Sequence, residues 1–284
     1  MATPASRLRQ LLQRGIVRLA GVHDAIGAQV ADQVGFCGLW CSGLGISSAH
    51  GVHDCSNLPL EVFVEAARTV ARSSDLPVLA DADSGFGDMD VVGGVVRTYE
   101  DAGVAGLCIE DAPFPKRNSF FPGRHEVIEA ESFAAKIRAA RAARRDPSFL
   151  VVARTEAFIA GHDLEATLAR CRLYADAGAD MVVPHSRMRS CDEVLAFARR
   201  WDRPVPLGII PSTYTSINDC CSDAQLQALG IRAVVYANQA LRASIRAQRE
   251  ALQAILHAGS ASVVEERIAS IQEIFALQDG RTPS

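Results

Sequence analysis

Short apolar runs alternate with longer segments of helical period along most of the chain. About eight runs rich in Val, Ile and Leu have the length of β-strands, and they occupy residues 16–20, 37–41, 77–82, 106–110, 149–154, 181–184, 205–210 and 233–237. Between these runs the pattern predicts helices over 25–34, 60–73, 91–102, 131–144, 163–177 and 191–201. Two of the helical segments end in Asp-Ala-Gly, and Gly103 and Gly178 therefore predict helix stops with glycine at C′.

This alternation favours one fold class. Strands that are apolar throughout and separated by helices need a parallel sheet that is covered on both faces or closed into a ring. Eight units in about 240 residues fit an α/β fold of the (β/α)8 TIM-barrel type. The alternative, a doubly wound open sheet, predicts a Gly-x-Gly-x-x-Gly turn after the first strand, and Gly21-Val22-His23-Asp24-Ala25 does not match that turn.

Additional helices are expected at both ends of the barrel. One is predicted at the N-terminus over 5–14, and two are predicted at the C-terminus over 241–258 and 263–277. The sequence shows no linker and no second domain. We therefore predict a single barrel domain over 1–284 with a C-terminal helical extension at about 241–280.

Composition and charge narrow the function classes. The 284 residues are 49% hydrophobic and 22% charged with a formal net charge of −4, which is the balance of a globular enzyme. Acidic and basic residues are interspersed, so neither nucleic acid nor a membrane is an expected partner. The N-terminus lacks the apolar core of a signal peptide, and no run approaches the roughly 18 apolar residues of a membrane span, so the expected location is cytoplasmic.

The eight cysteines contain no Cys-x-x-Cys pair, and without a secretory signal we expect reduced thiols. Cys37, Cys41 and Cys108 lie in or beside apolar runs and are predicted to be small core residues. Cys220 and Cys221 are adjacent and near a predicted loop, so one of them is expected to be exposed.

In a (β/α)8 barrel the functional residues lie at the carboxyl ends of the strands. Polar residues follow successive predicted strands there: Ser42-Gly43-Leu44 after Trp40, Asp81-Ala82-Asp83, Glu110-Asp111, Arg154-Thr155-Glu156, His185-Ser186 and Pro211-Ser212-Thr213. Alone, an arginine is more often a solvated charge and a histidine more often a structural residue. Their convergence on one rim indicates a shared cavity.

A pair of carboxylates indicates a cation site. Asp81 and Asp83 are two residues apart, so a strand would place them on one face, where two unpaired carboxylates repel each other. Turn chemistry alone would explain Asp83-Ser84-Gly85, but it gives no reason for Asp81. With Glu110 and Asp54 the acids form an all-oxygen set that suits Mg²⁺, with several acids acting through water, and the absence of thiol and imidazole argues against zinc.

Two further features indicate the ligand. Ser42, Gly43 and Leu44 offer backbone donors, and Arg154 offers a planar fork, which together predict a small, multiply charged anion. The loop over 110–124 contains three prolines and several cations, which is typical of a lid that closes over an anion. The alternative interpretation of this loop is an ordinary basic surface segment.

Several segments, in this order along nearly the whole chain, resemble the phosphoenolpyruvate mutase and phosphonopyruvate hydrolase branch of the isocitrate lyase superfamily. They are Trp-x-Ser-Gly at 40–43, Gly-Val-His-Asp at 51–54, Asp-Ala-Asp-Ser-Gly-Phe-Gly at 81–87, Glu110-Asp111 with Phe-Pro-Lys-x-Asn-Ser at 114–119, Val-Ala-Arg-Thr-Glu-Ala-Phe-Ile-Ala-Gly at 152–161, and His185-Ser186. The resemblance implies a magnesium-dependent (β/α)8 barrel, assembled as a homotetramer or dimer, whose last barrel helix is exchanged between subunits.

The same resemblance implies the reaction and the residue roles. The chain would interconvert phosphoenolpyruvate and phosphonopyruvate by intramolecular phosphoryl transfer, as in phosphonate biosynthesis. It implies a metal site at Asp81, Asp83 and Glu110; substrate-binding residues Trp40, Ser42, Gly43, Leu44, Ser119 and Arg154; and catalytic residues Asp54, Lys116, Asn118, Arg154 and His185. Asp54 would act beside the phosphorus, either as a transient nucleophile or as a guide for a metaphosphate-like group.

Departures from the family pattern leave alternatives open. The lyases of the superfamily carry Lys-Lys-Cys-Gly-His in the lid, whereas this chain has Lys116-Arg117-Asn118-Ser119, so lyase activity is disfavoured. Asn118 favours the mutase, but Ala112 stands where the mutase pattern has lysine. Ser212 and Gln239 also depart from the usual threonine and histidine. The alternatives are a phosphonopyruvate hydrolase that releases pyruvate and phosphate, or a repurposed member that binds a small 2-oxo acid.

Overall fold

Eight parallel strands close into a barrel in sequence order in the computed structural model, which describes residues 2–279. The strands are β1 (Val17–Val22), β2 (Gly38–Cys41), β3 (Val78–Asp81), β4 (Gly106–Glu110), β5 (Leu150–Thr155), β6 (Met181–Pro184), β7 (Leu207–Ile209) and β8 (Ile231–Tyr236). Each of them overlaps one predicted apolar run. The (β/α)8 fold is therefore confirmed.

The helices follow the strands and extend beyond them. In the described residues they are α1 (Pro4–Arg14), α2 (Ala25–Gln33), α3 (Gly43–Ala49), α4 (Leu60–Arg72), α5 (Met89–Asp101), α6 (Ala130–Ala143), α7 (Leu164–Asp176), α8 (Asp192–Arg200), α9 (Ile217–Cys220), α10 (Asp223–Ala228), α11 (Gln239–Ala258) and α12 (Ile271–Gln278). Two 3-10 turns, Ala261–Val263 and Glu265–Arg267, lie between α11 and α12.

Some predicted boundaries need correction. The segment 263–277 is not one helix, because Ser270 starts α12 with a reciprocal capping box to Glu273. Helices α3, α9 and α10 were not predicted; they have seven, four and six residues, which is too short for a periodic signal. The glycine stops are confirmed, since Gly103 and Gly178 follow the C-caps of α5 and α7 with φ of +85° and +101°.

Two groups of buried side chains hold the barrel together. One lies between the strands and the surrounding helices, and the other fills the barrel interior. Helix α1 closes the amino end of that interior with Ala5, Leu8 and Leu12. Arg9 fixes this helix by an ion pair of 2.7 Å with Asp180. The amino end is thus packed shut, which leaves the carboxyl end for a ligand.

The cysteines are free thiols in the described residues. Cys41 and Cys108 are buried as predicted, but the prediction for Cys37 is wrong, because β2 begins only at Gly38 and Cys37 is exposed. Cys220 is the exposed member of the adjacent pair. Within residues 2–279, no helix combines the length and the apolar character that a membrane crossing requires.

Candidate active site

A pocket of about 50 Å³ lies at the carboxyl end of the barrel. It brings together most of the predicted site residues and several residues for which no role was predicted. Its walls are Trp40, Ser42, Leu44, Asp54, Asp81, Glu110, Lys116, Asn118, Ser119, Phe120, Arg154, His185, Ile210, Ser212, Ala237 and Asn238. Gly43 and Asp83 do not line the pocket, but their main-chain amides donate to the carboxylate of Asp81, which does. We refer to Asp81, Asp83 and Glu110 as the acidic wall.

The two aspartates converge for a different reason from the one predicted. Strand β3 ends at Asp81, and Asp83 lies beyond it in a left-handed conformation with φ of +49°, so strand periodicity does not align them. A Cβ added to Gly43 would lie 3.1 Å from Asp81 Oδ2 and 3.2 Å from Asp83 Oδ1. Both carboxylates therefore face the start of α3, and glycine at 43 leaves room for them.

A lysine from the long loop between β4 and α6 sits between two acids. Lys116 Nζ lies 3.0 Å from Asp54 Oδ1 and 2.5 Å from Asp83 Oδ1, and all three side chains are almost fully buried. Asn118 Nδ2 donates to the other oxygen of Asp54 at 2.7 Å. The loop thus contacts Asp54 through two side chains, which closes it over the pocket.

The opposite wall is organised around Arg154, which follows from the pairing of β4 with β5. The register places Glu110 beside Arg154, and Arg154 Nε lies 3.4 Å from Glu110 Oε2. The same Nε donates to Glu156 Oε1 at 2.6 Å, while Nη2 donates to Ser119 Oγ at 2.9 Å. Ser119 in turn donates to Glu156 Oε2 at 2.6 Å, so this wall is a closed network of hydrogen bonds.

His185 contacts both charged members of that network. Its Nδ1 lies 2.8 Å from Arg154 Nη2 and 2.8 Å from Glu156 Oε1, and the two contacts require opposite tautomers. Burial, aided by the positive charge of Arg154, lowers the pKa of His185. The imidazole is therefore neutral near pH 7.

The pKa values of three carboxylates in and beside the site shift in opposite directions, although burial alone would raise all of them. Burial raises the pKa of Asp83 to about 7 and that of Glu110 to about 8, against the opposing charges of Lys116 and Arg154 respectively. At Glu156 burial also favours the neutral form, but the charge of Arg154, together with the hydrogen bonds to His185 and Ser119, outweighs it and holds the pKa well below its usual range. Asp83 and Glu110 therefore lack sufficient positive charge around them.

Helix α3 gives the predicted Ser42-Gly43-Leu44 segment its geometry. Ser42 is the N-cap, and its hydroxyl accepts from the amide of Gly45 at 3.2 Å. The amide of Ser42 donates to Val22 O at 2.9 Å. The prediction that this amide is a free donor for a ligand is therefore wrong. The amide of Gly43 points to Asp81 Oδ2 at 3.4 Å. Trp40 is buried beneath this end of the pocket.

Several residues that line the pocket, or that bond to its walls from behind as Glu156 does, were not predicted to belong to the site. Glu156 was noted after the fifth strand but given no role, although its position next to Arg154 was a usable signal. Asn238 follows β8 and donates to Ser212 Oγ at 3.2 Å, while its own Oδ1 accepts no hydrogen bond. Phe120 packs edge-on against His185 with ring centroids 6.0 Å apart. Nothing in a single sequence distinguishes Phe120 or Ile210 from core residues.

The long loop between β4 and α6 has no helix or strand, as its prolines predicted. The segment around Asp54 holds it from one side: the amide of Lys116 donates to Ser56 Oγ at 3.1 Å, and His53 contacts Phe121 edge-on at 5.4 Å. Ala112 itself is buried and does not line the pocket. The loop and the Asp54 segment therefore form one cover.

The acidic wall fits Mg²⁺ bound largely through water. Neither carboxylate oxygen of Asp83 accepts a hydrogen bond, so the contact with Lys116 is an ion pair without hydrogen-bond alignment. Within residues 2–279, no three His, Cys, Asp or Glu side chains are arranged to hold a metal ion directly. Mg²⁺ usually takes only one or two protein carboxylates and keeps several waters, so a set of oxygens of this kind can hold it.

A barrel that places several acids, a buried arginine and a closed loop at its carboxyl end is typical of enzymes that act on small anions. The comparison with known families makes this specific. The phosphoenolpyruvate phosphomutase family matches residues 8–256, and the chain belongs to that family. The branch of the isocitrate lyase superfamily expected from the motifs is thereby confirmed.

Individual relatives carry two different activities. A phosphoenolpyruvate phosphomutase from Streptomyces hygroscopicus is 39% identical, with 96% of this chain and 87% of that protein covered. A phosphonopyruvate hydrolase from Variovorax sp. is 38% identical, with coverage of 97% and 95%. The crystal structure of a phosphoenolpyruvate phosphomutase from Streptomyces platensis subsp. rosaceus is similar with a TM-score of 0.93 at 43% identity, covering 97% of this chain and 95% of that one.

A solved phosphonopyruvate hydrolase in complex with oxalate and Mg²⁺ has a TM-score of 0.90 to this chain at 36% identity, with coverage of 98% and 95%. The relatives are thus enzymes for small phosphonate or oxo-acid substrates, and overall identity does not separate the mutase from the hydrolase.

Proposed function

We propose that this chain is a magnesium-dependent phosphoenolpyruvate mutase that interconverts phosphoenolpyruvate and phosphonopyruvate. The observation that carries the proposal is the contact of Lys116 and Asn118 with the two oxygens of Asp54, at 3.0 and 2.7 Å. These contacts seal the loop over the pocket. A sealed pocket favours return of the phosphoryl group to the same pyruvyl unit over its capture by water.

The acidic wall would bind the pyruvyl end of the substrate. Asp81, Asp83 and Glu110 would hold Mg²⁺, and the start of α3 with Gly43 and Leu44 would orient the substrate carboxylate. Bound there, Mg²⁺ supplies a positive charge that stabilises enolate oxygen. Asp83 and Glu110 support this assignment, because burial has raised their pKa values and a cation would relieve that cost.

The opposite wall would bind the phosphoryl group. Arg154 offers a planar fork already held by Glu156, and Ser119, Asn118 and Lys116 offer further donors from the loop. Phosphoryl transfer asks a protein mainly for positioning and charge stabilisation, which such a preorganised set provides. Asp54 would lie beside the phosphorus, and Lys116 and Asn118 would fix its carboxylate.

Hydrolysis of phosphonopyruvate to pyruvate and phosphate is the second candidate. Ala112 favours it, since the mutase pattern expected from the sequence has lysine at this position. The retained Asn118, bonded to Asp54, favours the mutase. The balance between the two reactions depends on how completely the loop excludes water.

The products of the purified protein test this proposal. Incubation with phosphonopyruvate and Mg²⁺, followed by phosphorus NMR, should show phosphoenolpyruvate as the main product. Free phosphate as the main product would favour the hydrolase, and no consumption of phosphonopyruvate would contradict both.

Asp54→Ala should abolish turnover, because Asp54 is proposed to lie beside the phosphorus. Asp75→Ala, which removes an acid elsewhere on the surface, should not change turnover. Full activity in Asp54→Ala would refute the role of Asp54.

Asn118 distinguishes phosphoryl contact from metal contact. We expect Asn118→Ala to lower turnover, because the transition state loses about 3 kcal/mol of stabilisation, the usual cost of losing one preorganised donor. Metal affinity should change far less, because Asn118 contacts Asp54 and the pocket rather than the metal acids. Steady-state rates and a Mn²⁺ titration measure the two effects; equal losses in both would place Asn118 at the metal instead.

We also propose that α11 is exchanged between subunits of a homotetramer or dimer. None of its 20 residues is buried, and it exposes Ile245, Leu252 and Leu256. An apolar groove of about 350 Å³ lies beside its first turn, lined by α2 residues such as Ile26 and Val30. Apolar helix faces of this kind are buried against something in a stable protein, and a second copy of the chain supplies a matching surface.

A further inference from the structure

Lysine is used twice in this chain, at 116 and 136, and arginine supplies every other side chain that is always positively charged. Both lysines are buried. Lys116 has a proposed role in the pocket, whereas Lys136 lies on α6 and outside the pocket walls. A buried cation in a chain that otherwise relies on arginine needs a specific partner, because burial of a charge is costly.

The partners of Lys136 are two main-chain carbonyl groups. Its Nζ donates to Ser84 O at 2.8 Å and to Gly87 O at 2.7 Å. Among the described residues no carboxylate lies within ion-pair distance of it. Burial accordingly lowers the pKa of Lys136, with the charge of Asp88 opposing. The hydrogen bonds to these two carbonyl groups thus offset part of the cost of burying the ammonium group.

These carbonyls bracket the backbone turn that follows the metal-site acids. Asp83, Gly85, Phe86 and Gly87 all have positive φ, at +49°, +90°, +57° and +156°. For Phe86, and to a lesser degree for Asp83, this conformation is strained, because the side chain crowds the following carbonyl oxygen. No main-chain hydrogen bond from the amide of Gly87 to Ser84 O closes the turn in the described residues.

The ammonium group of Lys136 takes the place of that missing hydrogen bond. The side chain of Ser84 does not help, since its buried hydroxyl has no hydrogen-bond partner. On the other side, Asp83 O accepts from the amide of Glu110 at 2.8 Å, which ties the same turn to another acid of the site. The position of the Asp83 carboxylate therefore depends on a backbone held at both ends.

We propose that Lys136 is a positioning residue that holds the strained turn after β3 and thereby fixes Asp83 for the metal and the substrate. It acts through the backbone carbonyls of Ser84 and Gly87 and touches neither ligand. The proposal rests on the proposed function, since it assigns Asp83 to the metal site. An ammonium group suits the position because it is compact and has three rotatable donors, whereas arginine presents its donors in a rigid planar fork.

The test compares Lys136→Met with Ile137→Val, a mild change at the next residue on the buried face of α6. Two quantities are measured without turnover: the Mn²⁺ dissociation constant, from the electron paramagnetic resonance of free Mn²⁺, and amide hydrogen exchange of peptides that span 81–88. We expect Lys136→Met to bind Mn²⁺ roughly 10–100-fold more weakly, as for loss of other groups that orient metal ligands, and to exchange faster over 81–88. Ile137→Val should change neither quantity.

If Lys136 has only a structural role, Lys136→Met will have a lower melting temperature but an unchanged Mn²⁺ affinity once folded. That result would overturn the proposal. Unchanged hydrogen exchange over 81–88 would overturn it as well. If Lys136→Met does not fold, Lys136→Arg carries the same test, with the same two changes expected and the same outcomes against it. If the wild type binds Mn²⁺ but converts neither phosphonopyruvate nor phosphoenolpyruvate, the proposed function is refuted. The Mn²⁺ titration of Lys136→Met still decides the role of Lys136 in that case. A wild type without Mn²⁺ affinity would overturn both.

Discussion

At the scale of single residues, one carboxylate orders the wall opposite the acids. Glu156 accepts from Arg154 and Ser119 and lies 2.8 Å from His185 Nδ1. Buried charges are tolerated when their hydrogen bonds are satisfied. The buried pair of Glu156 and Arg154 satisfies most of its hydrogen bonds within the protein. The consequence for His185 is that a proton on it would add a second positive charge beside the guanidinium of Arg154.

The pH dependence of stability tests this view of His185. Its pKa is lowered in the folded protein, so the unfolded chain binds the proton more tightly, and stability falls as pH drops below the ordinary value of about 6.5. We expect wild type to lose more thermal stability than His185→Gln between pH 7 and pH 5, because glutamine cannot be protonated there. Parallel melting curves of the two proteins over this range would contradict the shift. His162→Gln is the control, on a histidine outside the pocket.

At the scale of elements, the short helix α3 and the turn after β3 set the geometry of the acidic wall. The first helical residue must be small, since a Cβ at Gly43 would come within 3.1 Å of one carboxylate and 3.2 Å of another. The turn after β3 supplies Asp83 from a left-handed conformation. Neither element is long enough to have a sequence period, yet together they decide where the acids point.

Gly43→Ala should therefore damage the proposed metal site. We expect it to weaken Mn²⁺ binding and turnover by roughly tenfold to a hundredfold, because overpacking a close-packed site costs about 1–3 kcal/mol. Gly94→Ala is the matched control: Gly94 is exposed in α5, no atom would meet its added Cβ, and alanine there should slightly raise stability. Equal effects of the two substitutions in a Mn²⁺ titration would show that the space at Gly43 is not required.

At the scale of the whole molecule, the barrel collects residues that are far apart in sequence. Asp54 and Asn118 are 64 residues apart and Ser119 and Glu156 are 37 apart, yet each pair is hydrogen-bonded. The closed ring of parallel strands makes this possible, since all carboxyl ends meet at one rim. The exposed apolar face of α11 is proposed to bring residues of separate chains together in a similar way.

A charge on that face should disrupt the proposed assembly. We expect Leu252→Glu to shift the protein from a dimer or tetramer to a monomer, because a buried unpaired charge at an interface is strongly unfavourable. Gln253→Glu adds the same charge on an adjacent face of α11 and should leave the assembly intact. Light scattering coupled to size-exclusion chromatography measures the mass; a wild-type monomer would refute the exchange of α11.

The sequence by itself determined the barrel, its order of strands and the location of most site residues. These follow from local patterns: apolar runs of strand length recur eight times, and polar residues stand where six of these runs end. Family motifs added the residue roles that we propose for Asp54, Lys116, Asn118, Arg154 and His185. The two glycine stops, at Gly103 and Gly178, were likewise readable, because the αL conformation at C′ strongly favours glycine.

Only the tertiary structure decided the contacts on which the chemistry depends. Asp81 and Asp83 meet through a left-handed turn and not through strand period, and Lys136 supports that turn from a distant helix. Glu156 acquires its importance from side chains on other strands and on the loop. Sequence periodicity reports which face of an element is buried, whereas the distance between two side chains depends on the packing of whole elements, which no local pattern encodes.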